Sequence, residues 1–70
     1  MTARPVKHSL TLNGHRTSVS LEAAFWTAFR QIAEDRGLAL NALAAEIDAG
    51  RGDVGLASAI RVFVLEAVRR

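Results

Sequence analysis

The sequence predicts an α+β domain in which a short antiparallel hairpin precedes three helices, and three observations predict it. Two stretches alternate polar and apolar residues on either side of Asn13-Gly14. After Leu21 the apolar period changes from two residues to about 3.6, the change from strand to helix. Three glycines between Gly50 and Gly55 then divide the remaining helical sequence.

Residues 1–6 contain Pro5, show no periodicity and read as a flexible arm; residues 7–70 read as one domain. The strands are expected at about 7–12 and 15–21. Asn13-Gly14 suits a type I′ turn, which needs positive φ at both central residues. Such a turn sets Leu12 opposite His15. Working away from it, Thr11 faces Arg16, Leu10 faces Thr17, Ser9 faces Ser18, His8 faces Val19 and Lys7 faces Ser20. One side of the hairpin is then Lys7, Ser9, Thr11, Arg16, Ser18 and Ser20, wholly polar. The other carries His8, Leu10, Leu12, His15, Thr17, Val19 and Leu21, mostly apolar. Two independent alternations agree on one register.

The first helix is expected over about 22–36. Phe25, Trp26, Phe29, Ile32, Ala33 and Arg36 fall on one stripe of it. Ser20 is the expected cap, with acidic Glu22 in the first turn and Gly37 at C′. A second helix, about 40–49, gathers Leu40, Leu43, Ala44 and Ile47. A third, about 56–69, gathers Ile60, Phe63, Val64, Ala67 and Val68, and Arg69 and Arg70 at its end complement the helix dipole.

Seventy residues make one small domain, and a monomer near that size buries only about 60% of the surface its unfolded chain exposes. Cysteine is absent, which excludes disulfides and thiolate zinc sites. Half of the residues are nevertheless hydrophobic. Pairing with a second copy is the remaining way to bury that surplus, so a homodimer is expected. Val19, Leu21, Phe25, Trp26, Phe29, Ile32, Leu43, Ile47 and Phe63 are the expected core and dimer contacts. No apolar run approaches the roughly 20 residues of a membrane span, and no signal-peptide core opens the chain. A cytoplasmic protein without a membrane partner is expected.

The net charge of +2 hides an uneven distribution. Residues 1–21 hold Arg4, Lys7 and Arg16 and no acid; the seven acids all lie beyond Leu21. A dimer doubles the basic patch, and a localised patch of this kind is the footprint of a polyanion binder.

Catalysis has no support. The chain offers no nucleophile with a base and an orienting acid, no glycine-rich phosphate loop after a strand and no paired carboxylates in a predicted cleft, so no enzyme, small-molecule substrate or cofactor is expected. His8 and His15 share a face but lie about 13 Å apart at strand rise, too far to hold one metal. Arg51-Gly52-Asp53 spells an adhesion tripeptide but falls within the glycine break and reads as a turn.

What remains is a polar strand followed directly by two helices. Arg can donate two hydrogen bonds to guanine O6 and N7, and a serine hydroxyl can donate to or accept from either base type. Arg16, Ser18 and Ser20 are therefore candidate base readers, and Lys7 a candidate phosphate contact. A tight turn over Gly37-Leu38-Ala39 aims the N-terminus of the second helix outward, where free backbone N–H groups can hold a phosphate.

These residues carry a resemblance. Residues 15–48, from His-Arg-Thr-Ser-Val-Ser-Leu-Glu through Gly-Leu-Ala-Leu-Asn-Ala-Leu to Asp48, resemble the ribbon-helix-helix family of Arc and MetJ repressors. Residues 7–69 are similar to a compact bacterial branch of it, through His15–Glu22 and Ile60–Glu66. The resemblance implies an intertwined homodimer whose paired strands enter the major groove of double-stranded DNA. It implies base reading by Arg16, Ser18 and Ser20, and a phosphate clamp at the backbone of Leu40 and Asn41. The expected function is transcriptional repression or autoregulation, with further copies able to assemble on DNA.

Two matters stay open at this level. One is whether strand 7–12 stays in the sheet. A four-stranded dimer sheet, at about 4.8 Å per strand, is wider than the two-stranded ribbon a major groove admits. The other is the competing reading, a dimeric protein-interaction module of antitoxin or adaptor type. A helix-turn-helix protein fits less well, because the second helix carries Glu46 and Asp48 where phosphate would approach.

Overall fold

A computed structural model describes residues 4–69. Its elements run β1 (Val6–Leu12), β2 (His15–Leu21), α1 (Ala23–Asp35), α2 (Leu40–Gly50) and α3 (Leu56–Val68). The two strands form one antiparallel sheet in the expected register, Leu12 opposite His15 through Lys7 opposite Ser20, with Val6 opposite Leu21 in addition. Asn13 at φ 53° and Gly14 at φ 82° supply the two positive angles of the type I′ turn. Strand β1 begins at Val6, one residue inside the expected arm; residues 1–3 of that arm lie outside the described residues.

Helix α1 starts differently from expectation. Its N-cap is Glu22, and no side chain caps it; Ser20 stays in β2 with its side chain exposed. The strand simply runs two residues further than a Ser20 cap allows. The end of α1 is as expected. Gly37 takes φ 67° at C′, its N–H donates to the Glu34 carbonyl (3.0 Å), and the Leu38 N–H donates to the Ala33 carbonyl (2.9 Å). This Schellman pair closes the helix and turns the chain toward α2. Arg36, expected on the buried stripe, is exposed at the C-cap, where its guanidinium lies 5.0 Å from the centre of the Phe63 ring.

The apolar face of the hairpin packs on the helices, α2 lying along β1 and α3 along β2, with α1 against both helices. Leu10, Leu12, Val19 and Leu21 enter the core beside Phe29, Ala33, Leu43, Ala44, Ile60 and Val64. Each fully buried side chain of the Leu or Val class contributes about 1.5–3 kcal/mol. Four of them on fourteen strand residues fix which way the hairpin faces. Phe25, Trp26, Ile32, Ile47 and Phe63 are only partly buried. Val68, expected on the inner face of α3, is exposed together with Val62 and Leu65.

Candidate nucleic-acid interface

Lys7, Ser9 and Thr11 on β1 and Arg16, Ser18 and Ser20 on β2 are all exposed on one side of the sheet. The period of two that drives their neighbours into the core holds these six outward. In a two-residue hairpin Leu12 and His15 exchange both ladder hydrogen bonds, as do Leu10 with Thr17 and His8 with Val19. The N–H and C=O groups of Lys7, Ser9 and Thr11 therefore point off the outer edge of β1. Those of Arg16, Ser18 and Ser20 point off the outer edge of β2.

The two edges have different surroundings. On β1, the Thr11 N–H donates to Asn41 Oδ1 at 3.1 Å, so the first turn of α2 sits against the strand. The expected phosphate contact Asn41 is exposed and uses its side-chain oxygen for this bond, leaving its amide nitrogen free to donate. Leu40 is half-buried, its side chain packed on the core. Ala39 is the N-cap of α2 and supplies no side-chain bond, and the Leu43 N–H makes the first intrahelical bond, to Ala39 (3.1 Å). The backbone N–H groups of Leu40, Asn41 and Ala42 thus have no partner within the helix.

At the end of β2, Arg61 on α3 grips the strand–helix junction. Its Nε donates to Glu22 Oε1 at 2.9 Å, its Nη2 to Glu22 Oε2 at 3.2 Å and, more weakly, to the Ser20 carbonyl at 3.4 Å. The guanidinium also lies 5.9 Å from the centre of the Phe25 ring. The Arg61 hydrogen bonds hold the Glu22 carboxyl below its ordinary pKa, so it stays ionised and paired. The acid that directly follows β2 is thus paired with a cation in place. Sequence reading missed Arg61; the signal was a lone charge inside the apolar run Ile60-Arg61-Val62-Phe63-Val64.

The histidines part company. His15 is exposed beside the turn, whereas His8 stacks on Trp26 of α1, and no cluster suited to a metal occurs among the described residues. Arg51 of the adhesion-like tripeptide pairs with Asp48 (2.6 Å) and donates to the Val54 carbonyl (2.6 Å), holding the loop between α2 and α3. No helix of the described residues is long and apolar enough to cross a membrane.

The described residues thus form a two-stranded sheet with one polar, acid-free face, followed by three helices. The chain matches the family described as "Ribbon-helix-helix domain" over residues 5–68, and it belongs to that family. Domains of this family typically bind DNA as transcription regulators, generally as dimers, and are not enzymes. Comparison with curated proteins and with solved structures found no match.

Proposed function

We propose that this chain is a homodimeric, sequence-specific binder of double-stranded DNA that acts as a transcriptional repressor or autoregulator in the bacterial cytoplasm. The observation that carries the reading is the exposed, acid-free polar face of the hairpin, with arginine and hydroxyls on the strand that feeds α1. The outer edge of β2 suits antiparallel pairing with a second copy. A dyad at Ser18, the middle residue of His15–Leu21, sets Arg16 of each copy opposite Ser20 of the other and uses every outward group of 16, 18 and 20. Arg16, Ser18 and Ser20 then address base edges, while Lys7 and the backbone of Leu40 and Asn41 hold phosphates. No cofactor takes part.

A second reading, a protein-interaction module of antitoxin or adaptor type, draws on Val62, Leu65 and Val68 exposed along α3. Selection of binding sites from a random duplex pool by the purified protein separates the two. The DNA reading expects one enriched, dyad-symmetric sequence. A pool that stays unenriched, with no salt-dependent retention, decides for the interaction module.

A further inference from the structure

We propose that β1 remains in the sheet when DNA is bound, so that two copies present a four-stranded platform whose outer strands rest on phosphates. This inference rests on the DNA-binding reading above and adds what that reading leaves open, the place of β1.

Three separate attachments hold β1. Leu10 and Leu12 are 2% and 7% exposed and belong to the core. The Thr11 N–H is taken by Asn41 Oδ1, on the edge away from β2. His8 lies on Trp26, with ring centroids 3.8 Å apart and planes within 4°. Each attachment ends on a different partner: the core, the start of α2 and the face of α1. Freeing β1 as an arm breaks all three together with the ladder to β2. It also uncovers two leucines beside the polyanion the arm is meant to grip, where they gain nothing.

Keeping β1 changes what the sheet can do. Four strands span three spacings, about 14 Å between the outermost axes. The major groove is about 12 Å wide. The sheet therefore bridges the groove, and β1 of each copy lies over a phosphate-lined lip. The residues β1 offers there suit that position: Lys7, Ser9 and Thr11 are exposed, none is acidic, and all can donate to phosphate oxygens. Arg16, the longest side chain on the central strands, carries the direct base contact across the gap. Ser18 and Ser20 reach bases through water.

Hydrogen exchange on the unmodified protein, free and bound to a selected duplex, tests this. The amides of His8, Leu10 and Leu12 should stay protected on DNA; their loss of protection on binding means β1 has left the sheet. If the unmodified protein retains no duplex at all, the DNA reading itself fails and takes this inference with it.

Discussion

The imidazole of His8 lies flat against the indole of Trp26, 3.8 Å from centre to centre. The pair ties the first strand to the first helix, across elements that share no turn. Aromatic stacks of this kind contribute about 0.5–1.5 kcal/mol beyond their buried area. His8→Ala should lower unfolding free energy by about that amount in urea denaturation. Trp26 is the one tryptophan, so its emission reports the contact. His8→Ala, which uncovers that face of the indole, should change the intensity or wavelength of the emission in the folded protein. An emission identical in His8→Ala and the parent means that the rings are not stacked in solution.

Arg16 and Lys7 should fail differently. Arg16→Ala should cost about 1–3 kcal/mol on the preferred duplex and less on unrelated sequence. Lys7→Ala should weaken all duplexes alike and reduce the salt slope by about one unit per contact. The parent slope of log affinity against log salt should fall at roughly −3 to −6. Titrations of both variants at several salt concentrations check this. Equal losses on every sequence for Arg16→Ala remove β2 from the role of reader.

Asn41 joins a structural bond to a place near proposed phosphates, and two substitutions separate these. Asn41→Ala removes the acceptor for Thr11 and should destabilise by about 0.5–1.5 kcal/mol, toward the lower end because the bond is exposed. Asn41→Asp keeps an acceptor oxygen and should recover that stability while weakening DNA binding by adding a negative charge. Asn41→Asp binding duplex as tightly as the parent would place the phosphates elsewhere.

The Glu22–Arg61 pair gives stability a pH dependence of known sign. The carboxyl titrates lower in the folded protein than in the unfolded chain because Arg61 hydrogen-bonds its ionised form. Its contribution is therefore present above the unfolded carboxylate range and is lost as pH falls through the lower, folded value. Urea midpoints measured from neutral pH downward should decline in the parent and decline less in Glu22→Gln. Matching acid limbs in the two proteins would show that the pair makes no contribution.

The proposed dimerisation through the outer edge of β2 can be tested without touching the hairpin. The Ser18 N–H points away from β1, so Ser18→Pro removes a donor that only a second copy needs. Sedimentation should give twice the chain mass for the parent and the mass of one chain for this variant. A dimer that survives the proline is held by another surface, and the exposed side of α3 becomes the place to look.

The hairpin was legible in the sequence because the Asn-Gly turn fixes the register, and the two periods of two agree on which face it buries. The helices were legible within one or two residues for the same kind of reason, strong periodicity bounded by Gly37 and the glycines near 50–55. The start of α1 was not: Ser20 has the chemistry of a cap, yet the strand claims it, because Leu21 must follow Val19 into the core. Arg36 misled by its spacing, which matches the stripe of α1 although its charge ends on Phe63 from outside. In the candidate interface the six outward residues followed from alternation alone. The ties from Asn41 to Thr11 and from Arg61 to Glu22 span 30 and 39 residues, and no local pattern announces contacts made by folding.

The register points even-numbered residues of β2 away from the helices and odd-numbered ones toward them; Val19 and Leu21 are buried, and Arg16, Ser18 and Ser20 exposed. One short segment thus keeps two records that do not overwrite each other. Substitution at the even positions can change the chemistry of the exposed face while the odd positions go on specifying the fold. Insertion or deletion of a single residue is a different matter, because it exchanges the two records at once. Lineages of this domain should accordingly diversify along the strand by replacement and leave its length alone.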